Sequence, residues 1–122
     1  MVTLASFRYA LRGLRAVISS ERNAKLHLVF ALAAILLSFL LKISTLEFLF
    51  VITFIVMVLL AEIINTAFEK TLDLISQENN HLVQLIKDMM AAGVLITAVG
   101  ALVVAAVIFG PKIYTVLSDL IR

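Results

Sequence analysis

The chain has 122 residues, 63% of them hydrophobic and only 15% charged, with a mean hydropathy of +1.15 and a formal net charge of +2. A soluble domain is closer to half apolar and a quarter charged, and one this small cannot hide so much oily surface from water, so the chain reads as a single membrane-embedded domain over 1–122. With no cysteine, disulfides, thiolate nucleophiles and Cys-bound metals are excluded.

Residues 1–25 hold five of the ten basic residues, Arg8, Arg12, Arg15, Arg22 and Lys25, against one acid, Glu21. Leu4, Phe7, Leu11, Leu14 and Ile18 recur at alternating steps of three and four, which is one apolar face of a helix. A basic amphipathic helix ahead of an apolar run predicts an N-terminal surface helix over 1–25, lying in the headgroup zone. No small-x-small cleavage site follows the apolar run cleanly, so a cleaved leader is not expected.

The first transmembrane helix is expected over 26–42. Its apolar stretch, Leu26 to Leu41, is a little short of the ~20 residues a bilayer asks for. His27 and Lys42 can snorkel to opposite interfaces and extend it. After a short turn over 42–47, the second is expected over 46–75. Phe48 to Ala61 carries no charge, and a helical pattern continues through Glu62, Asn65, Glu69 and Asp73. A helix of that length is roughly 45 Å long against a hydrocarbon core of about 30 Å, so its last turns leave the membrane. Residues 76–81 read as a polar loop. The third helix is expected over 82–110, with an uncharged run of 19 residues from Ala91 to Phe109. Gly110-Pro111 is a stop signal, and the tail over 111–122 receives no assignment.

Seven basic residues lie on the side shared by the N-terminus and the 62–88 segment. Lys42, Lys112 and Arg122 lie on the other, and this bias places the first side in the cytoplasm. Gly93, Thr97, Ala101 and Ala105 fall four apart, a stripe of small residues that lets helices approach closely, and three thin helices imply a homo-oligomer.

The chemistry concentrates on the second span. Glu62, Asn65, Glu69 and Asp73 are spaced three, four and four, and so share one helix face. An acid at membrane depth costs roughly 2.5–3.5 kcal/mol at a helix centre and less near the interface, so a helix that places one there is expected to use it. Hard oxygen donors suit Mg²⁺, and one carboxylate can stay free as a base. Lys87 and Asp88 stand where the third helix enters the membrane, at the same interface: a Lys can neutralise phosphate, an Asp can hold a metal or orient another group. Glu21 lies at the entrance of the first span on that side. Lys70, Asp73 and Glu78 are read as charges that end and hydrate a helix. His27 and His81 are read as interface or solvent residues, since a zinc site needs two or three positioned ligands. The four glycines, Gly13, Gly93, Gly100 and Gly110, are scattered, so any nucleotide is handled without a glycine-rich phosphate loop.

The stretch Ala61-Glu62-Ile63-Ile64-Asn65-Thr66-Ala67-Phe68-Glu69 resembles the E-[LI]-[LIV]-N-[ST]-A-[IF]-E signature of prokaryotic diacylglycerol kinases and undecaprenol kinases. Asp73 stands where that signature's following Asp lies. Lys87-Asp88 matches the K-D pair that opens the third span, and Gly13-Leu14-Arg15-Ala16 matches the N-terminal G-[LIF]-R/K-A element. The likeness covers roughly residues 7–109, with the same order and spacing of spans.

The resemblance implies an all-α, homotrimeric lipid kinase of the bacterial inner membrane, with ATP-using sites at the cytoplasmic interface between subunits. It implies Glu62 as the general base, and Glu21 and Glu69 as holders of Mg²⁺ with the ATP phosphates. Arg15, Asn65, Lys87 and Asp88 belong to the same substrate and nucleotide site. Lys70-Thr71-Leu72 and Met90 depart from the family's usual residues and bear on nucleotide fit and lipid preference. The segment Glu21-Arg22-Asn23-Ala24-Lys25-Leu26-His27-Leu28 is similar to the Gram-positive branch, which favours undecaprenol; diacylglycerol is the alternative substrate. A proton-coupled transporter would want its Glu near the bilayer midplane, and a purely structural subunit gives no reason for three acids and an amide on one face.

Overall fold

In the computed structural model, which describes residues 3–76 and 80–121, the chain is four helices and no strand among the described residues. They are α1 (Leu4–Ser20), α2 (Arg22–Leu40), α3 (Thr45–Ile75) and α4 (His81–Leu120). The last three are long and apolar enough to cross a membrane. Their 19, 31 and 40 residues correspond to about 28, 46 and 60 Å at 1.5 Å per residue, so α3 and α4 both overrun a hydrocarbon core of about 30 Å. The polar loop expected over 76–81 falls largely on residues 77–79, which, with Glu78, lie outside the described residues, as does Arg122.

Local chemistry explains where three of the four helices begin. The Thr3 hydroxyl caps α1 by accepting from the Ser6 amide. Ser44 and Glu47 form a reciprocal capping box at the start of α3: the Glu47 amide donates to Ser44 Oγ at 3.2 Å and the Ser44 amide to Glu47 Oε2 at 2.7 Å. Asn80 caps α4 through the Leu82 amide. Past the end of α2, Lys42 adopts φ 49°, and the Lys42 and Ile43 amides reach back to the Phe39 and Ser38 carbonyls. That closes the helix in the left-handed turn usually given to glycine.

Two expected boundaries move. α1 ends at Ser20, not at residue 25, and the helix of the first span begins at Arg22, not at residue 26. Glu21 alone separates the two helices, in extended backbone (φ −103°, ψ 125°). Ala24 is buried in the first turn of α2, so packing pulls residues 22–25 into the span's helix, where charge had suggested the leader. The second correction concerns Gly110-Pro111, which does not stop the third helix: α4 carries Pro111 inside it and continues to Leu120. Ile108 and Phe109 are buried just before the proline, and Lys112 just after it pairs with Glu47 at 3.3 Å. Those contacts anchor both sides, and a proline is tolerated in a membrane helix whose neighbours hold it.

Packing inside the chain is sparse. Ala24, Ala31 and Ser38 on α2, and Val51, Val58 and Asn65 on α3, are buried at steps of seven, the spacing of helices that run side by side at a shallow angle. Val51, Ile108 and Phe109 form the core, with Ala34, Leu37, Leu41, Ile55 and Ala105 against it. Elsewhere large apolar residues such as Leu32, Leu36, Phe50, Leu95 and Leu102 stay exposed, the arrangement of a chain solvated by lipid. On α1 the stripe Leu4, Phe7, Leu11 and Leu14 is likewise uncovered.

The small-residue stripe on α4 divides. Ala101 and Ala105 face α2 and α3, lining a cavity of about 330 Å³ between the three spans, whereas nothing lies within 4 Å of a side chain added at Gly93. Among the glycines, the tight position is one residue before Ala101 of the stripe, at Gly100, where a Cβ would stand 2.6 Å from the Phe54 ring. Gly100→Leu should therefore destabilise the fold by about 1–3 kcal/mol through overpacking, and Phe54→Ala in the same chain should recover part of it. Denaturation in mixed micelles, followed by circular dichroism, measures both.

Candidate functional site

The site is built around one turn of α3, where the apolar run ends. Glu62 is only 3% exposed, Asn65 8% and Thr66 2%. The sequence places them there because positions 58, 62 and 65 continue the buried face of α3 that begins at Val51. Asn65 Nδ2 donates to Glu69 Oε1 at 3.2 Å, which steers the amide along the helix toward the carboxylate one turn on. Three oxygens in this turn, Glu62 Oε2, Asn65 Oδ1 and Thr66 Oγ1, are buried without a hydrogen-bond partner among the described residues. Each such group costs about 1–3 kcal/mol, so the turn is organised for something other than the stability of this chain alone.

Glu21 arrives from the α1–α2 break. Its Oε1 accepts from Ser20 Oγ at 3.0 Å and from Lys70 Nζ at 3.2 Å. The Ser20 hydroxyl first, and the Lys70 ammonium second, hold its carboxyl below the usual carboxylate range. Glu21 and Glu69 both stand close enough to Glu62 for their charges to act on it. The expected acids are thus brought to one neighbourhood by two separate segments of chain.

Other expected site residues have partners of their own. Lys87 donates to Asp73 Oδ1, tying the start of α4 to the end of α3. Asp88 accepts from Gln84 Nε2 at 2.8 Å, one turn back on its own helix. Arg15 is exposed on α1 and lines a shallow depression with Leu11, Leu14, Ile18 and Lys25. These three share the end of the molecule that holds the acids, but make no contact with Glu62.

No three His, Asp or Glu side chains gather into a metal cage among the described residues. The donor set still suits Mg²⁺, which is commonly bound by one or two carboxylates together with substrate phosphates and waters. Glu69, half-buried and hydrogen-bonded to Asn65, and Glu21, at the helix break, are carboxylates of that kind.

Two residues escaped the sequence reading. Lys70, read as a helix-ending charge, is the cross-chain partner of Glu21. His27, read as an interface residue, places Nε2 4.0 Å from Glu62 Oε2 and is largely buried. Their signal was weak because each partner is remote in the chain.

The chain matches the prokaryotic diacylglycerol kinase family over residues 8–109, which includes every residue of this site. The chain belongs to that family. It is a membrane lipid kinase. An undecaprenol kinase of Bacillus subtilis (strain 168) is 33% identical over 108 residues, covering 88% of each chain. A diacylglycerol kinase of Synechocystis sp. (strain ATCC 27184 / PCC 6803 / Kazusa) is 29% identical over 115 residues, covering 93% of this chain and 66% of that one. The end of α4 beyond Phe109 falls outside the family match.

The Glu21–Lys70 pair has a defined pH signature. Because Glu21 binds its proton less readily when folded, its contribution is complete above its unfolded-state range and is lost as pH falls through its lowered folded value. An exposed pair of this kind contributes about 0.2–1 kcal/mol. Lys70→Met should remove part of that acid-side decline, leaving the share due to Ser20. Melting temperatures from pH 7 down to pH 3 for the two proteins in micelles measure the difference.

Proposed function

We propose that this lipid kinase transfers the γ-phosphoryl group of ATP to the hydroxyl of a long-chain lipid alcohol, undecaprenol before diacylglycerol, at the cytoplasmic face of the inner membrane. The observation that carries the reading is Glu62: a buried carboxylate with one oxygen unpaired, placed where an apolar span ends. Counted from Thr45, it lies about 26 Å along α3, close to the far edge of a ~30 Å hydrocarbon core. A lipid hydroxyl sits at that depth. A proton-coupled carrier would hold its acid nearer the midplane.

In this mechanism Glu62 takes the proton of the lipid hydroxyl. The lipid oxygen forms a bond to the γ-phosphorus as the bond from that phosphorus to the β–γ bridging oxygen breaks, and ADP leaves with the electron pair. Asn65 keeps the Glu69 carboxylate aimed, and Glu21 and Glu69 would hold Mg²⁺ when it is bound with the nucleotide. The metal supplies charge neutralisation at the phosphates, the larger part of what phosphoryl transfer needs. Arg15, free of any partner among the described residues, and Lys87, once released from Asp73, add positive charge; Asp88 organises the entrance of α4. A homotrimer completes the site, a reading supported by the unpaired buried oxygens and the uncovered apolar flanks.

Undecaprenol is favoured by the Glu21-to-Leu28 segment and by the likeness to the Bacillus relative across 88% of both chains. The Synechocystis relative keeps diacylglycerol as the alternative.

Radiolabelled phosphate transfer from ATP to both lipids in the same micelles tests the reading. Undecaprenol should be the faster substrate, and failure to label either lipid would end the proposal. Glu62→Gln should lower kcat about 10²–10⁴-fold with oligomeric state unchanged, the usual contribution of a positioned base. Glu69→Gln should shift the Mg²⁺ titration to higher concentration, and an unmoved titration would remove Glu69 from the metal site.

A further inference from the structure

His27 lies on the second turn of α2, where α2 meets α3. Its side chain is 18% exposed and that of Glu62 is 4% exposed, so the two face each other away from most solvent. Nε2 stands 4.0 Å from Glu62 Oε2, the oxygen with no hydrogen-bond partner. The same imidazole lines the apolar cavity between α2, α3 and α4.

The surroundings single this contact out. The charged groups acting on Glu62 are His27, Glu21 and Glu69, and two of those three carry its own sign. Lys70 on α3 is held by Glu21 and Lys87 on α4 by Asp73, so neither ammonium is directed at Glu62. Asn65 Oδ1, beside Glu62 on α3, is an acceptor and cannot serve a carboxylate. An ionised acid in an apolar setting needs a donor or a cation, and without one it has neither a fixed charge nor a fixed direction. Of the three charged groups acting on Glu62, the imidazole is the one that supplies either: an N–H donor when neutral, a full charge when protonated. At 4.0 Å the pair is longer than a hydrogen bond, the looser geometry that catalytic contacts commonly show before substrate is bound.

We infer that His27 is the positioning residue of Glu62: it holds the carboxylate ionised and directs its second oxygen toward the lipid hydroxyl. The inference rests on Glu62 being the base. His27 touches neither lipid nor nucleotide and acts through Glu62.

The test compares wild type, His27→Leu, His27→Gln and Glu62→Gln in one micellar assay, with kcat and KM for ATP measured between pH 5.5 and 9. His27→Leu should lower kcat about 100-fold while KM for ATP stays within threefold and the protein elutes at the wild-type size. Gln places an amide nitrogen near the position of Nε2 but cannot take a charge. His27→Gln should therefore recover at least tenfold of the loss, while its pH profile lacks an ionisation present in wild type. A His27→Leu enzyme within threefold of wild-type kcat, or a His27→Gln profile identical in shape to wild type, would overturn the inference. Glu62→Gln separates the two readings. If that variant is inactive while His27→Leu is active, only the positioning role fails; if Glu62→Gln turns over normally, the base assignment falls and this inference falls with it.

Discussion

The cost of a carboxylate at membrane depth governs this protein. Glu62 is almost fully buried at the end of an uncharged run in α3. A fold that only needed stability would replace it with an apolar residue, because an acid there loses hydration that a single neighbouring imidazole at 4.0 Å replaces only in part. The neighbouring residues follow from that constraint. Asn65 steers Glu69, the helix break presents Glu21, and the close packing of α2 on α3 through Ala24 and Ala31 brings His27 within reach.

The architecture keeps this polar turn and the hydrophobic packing at different depths. The core of Val51, Ile108 and Phe109 lies toward the far end of α3 from Glu62, and between them is an apolar cavity. The packed end is further secured by the capping box at Ser44 and by the Lys112–Glu47 pair across the Pro111 segment. At the other end, surface ion pairs link separate segments of the chain, Glu21 with Lys70 and Lys87 with Asp73. Such pairs contribute little to stability and exchange partners readily. An end held by replaceable charges can admit a polyanion such as a nucleotide, whose phosphates compete for the same cations.

Few large side chains are buried within one chain, and the apolar stripe of α1 is bare. Such a molecule takes much of its solvation from lipid tails and headgroups. That is also why its polar residues are informative: in lipid every buried oxygen without a partner has a cost that water cannot relieve.

From the amino-acid order alone, three spans, a basic amphipathic leader and a carboxylate–amide face on the second span were legible. Hydrophobicity and helical periodicity are local properties, and the Glu62-to-Glu69 signature lies within two turns of one helix. The tertiary structure decided what no local pattern encodes. It set the helix break at Glu21, carried α4 through Pro111, gave Lys70 to Glu21 across 49 positions, and put Gly100 rather than Gly93 against a neighbouring helix, at Phe54. It also turned His27 from an interface residue into the neighbour of Glu62. Each of these depends on which helix faces pack together, and that is settled by side-chain fit between segments far apart in the chain.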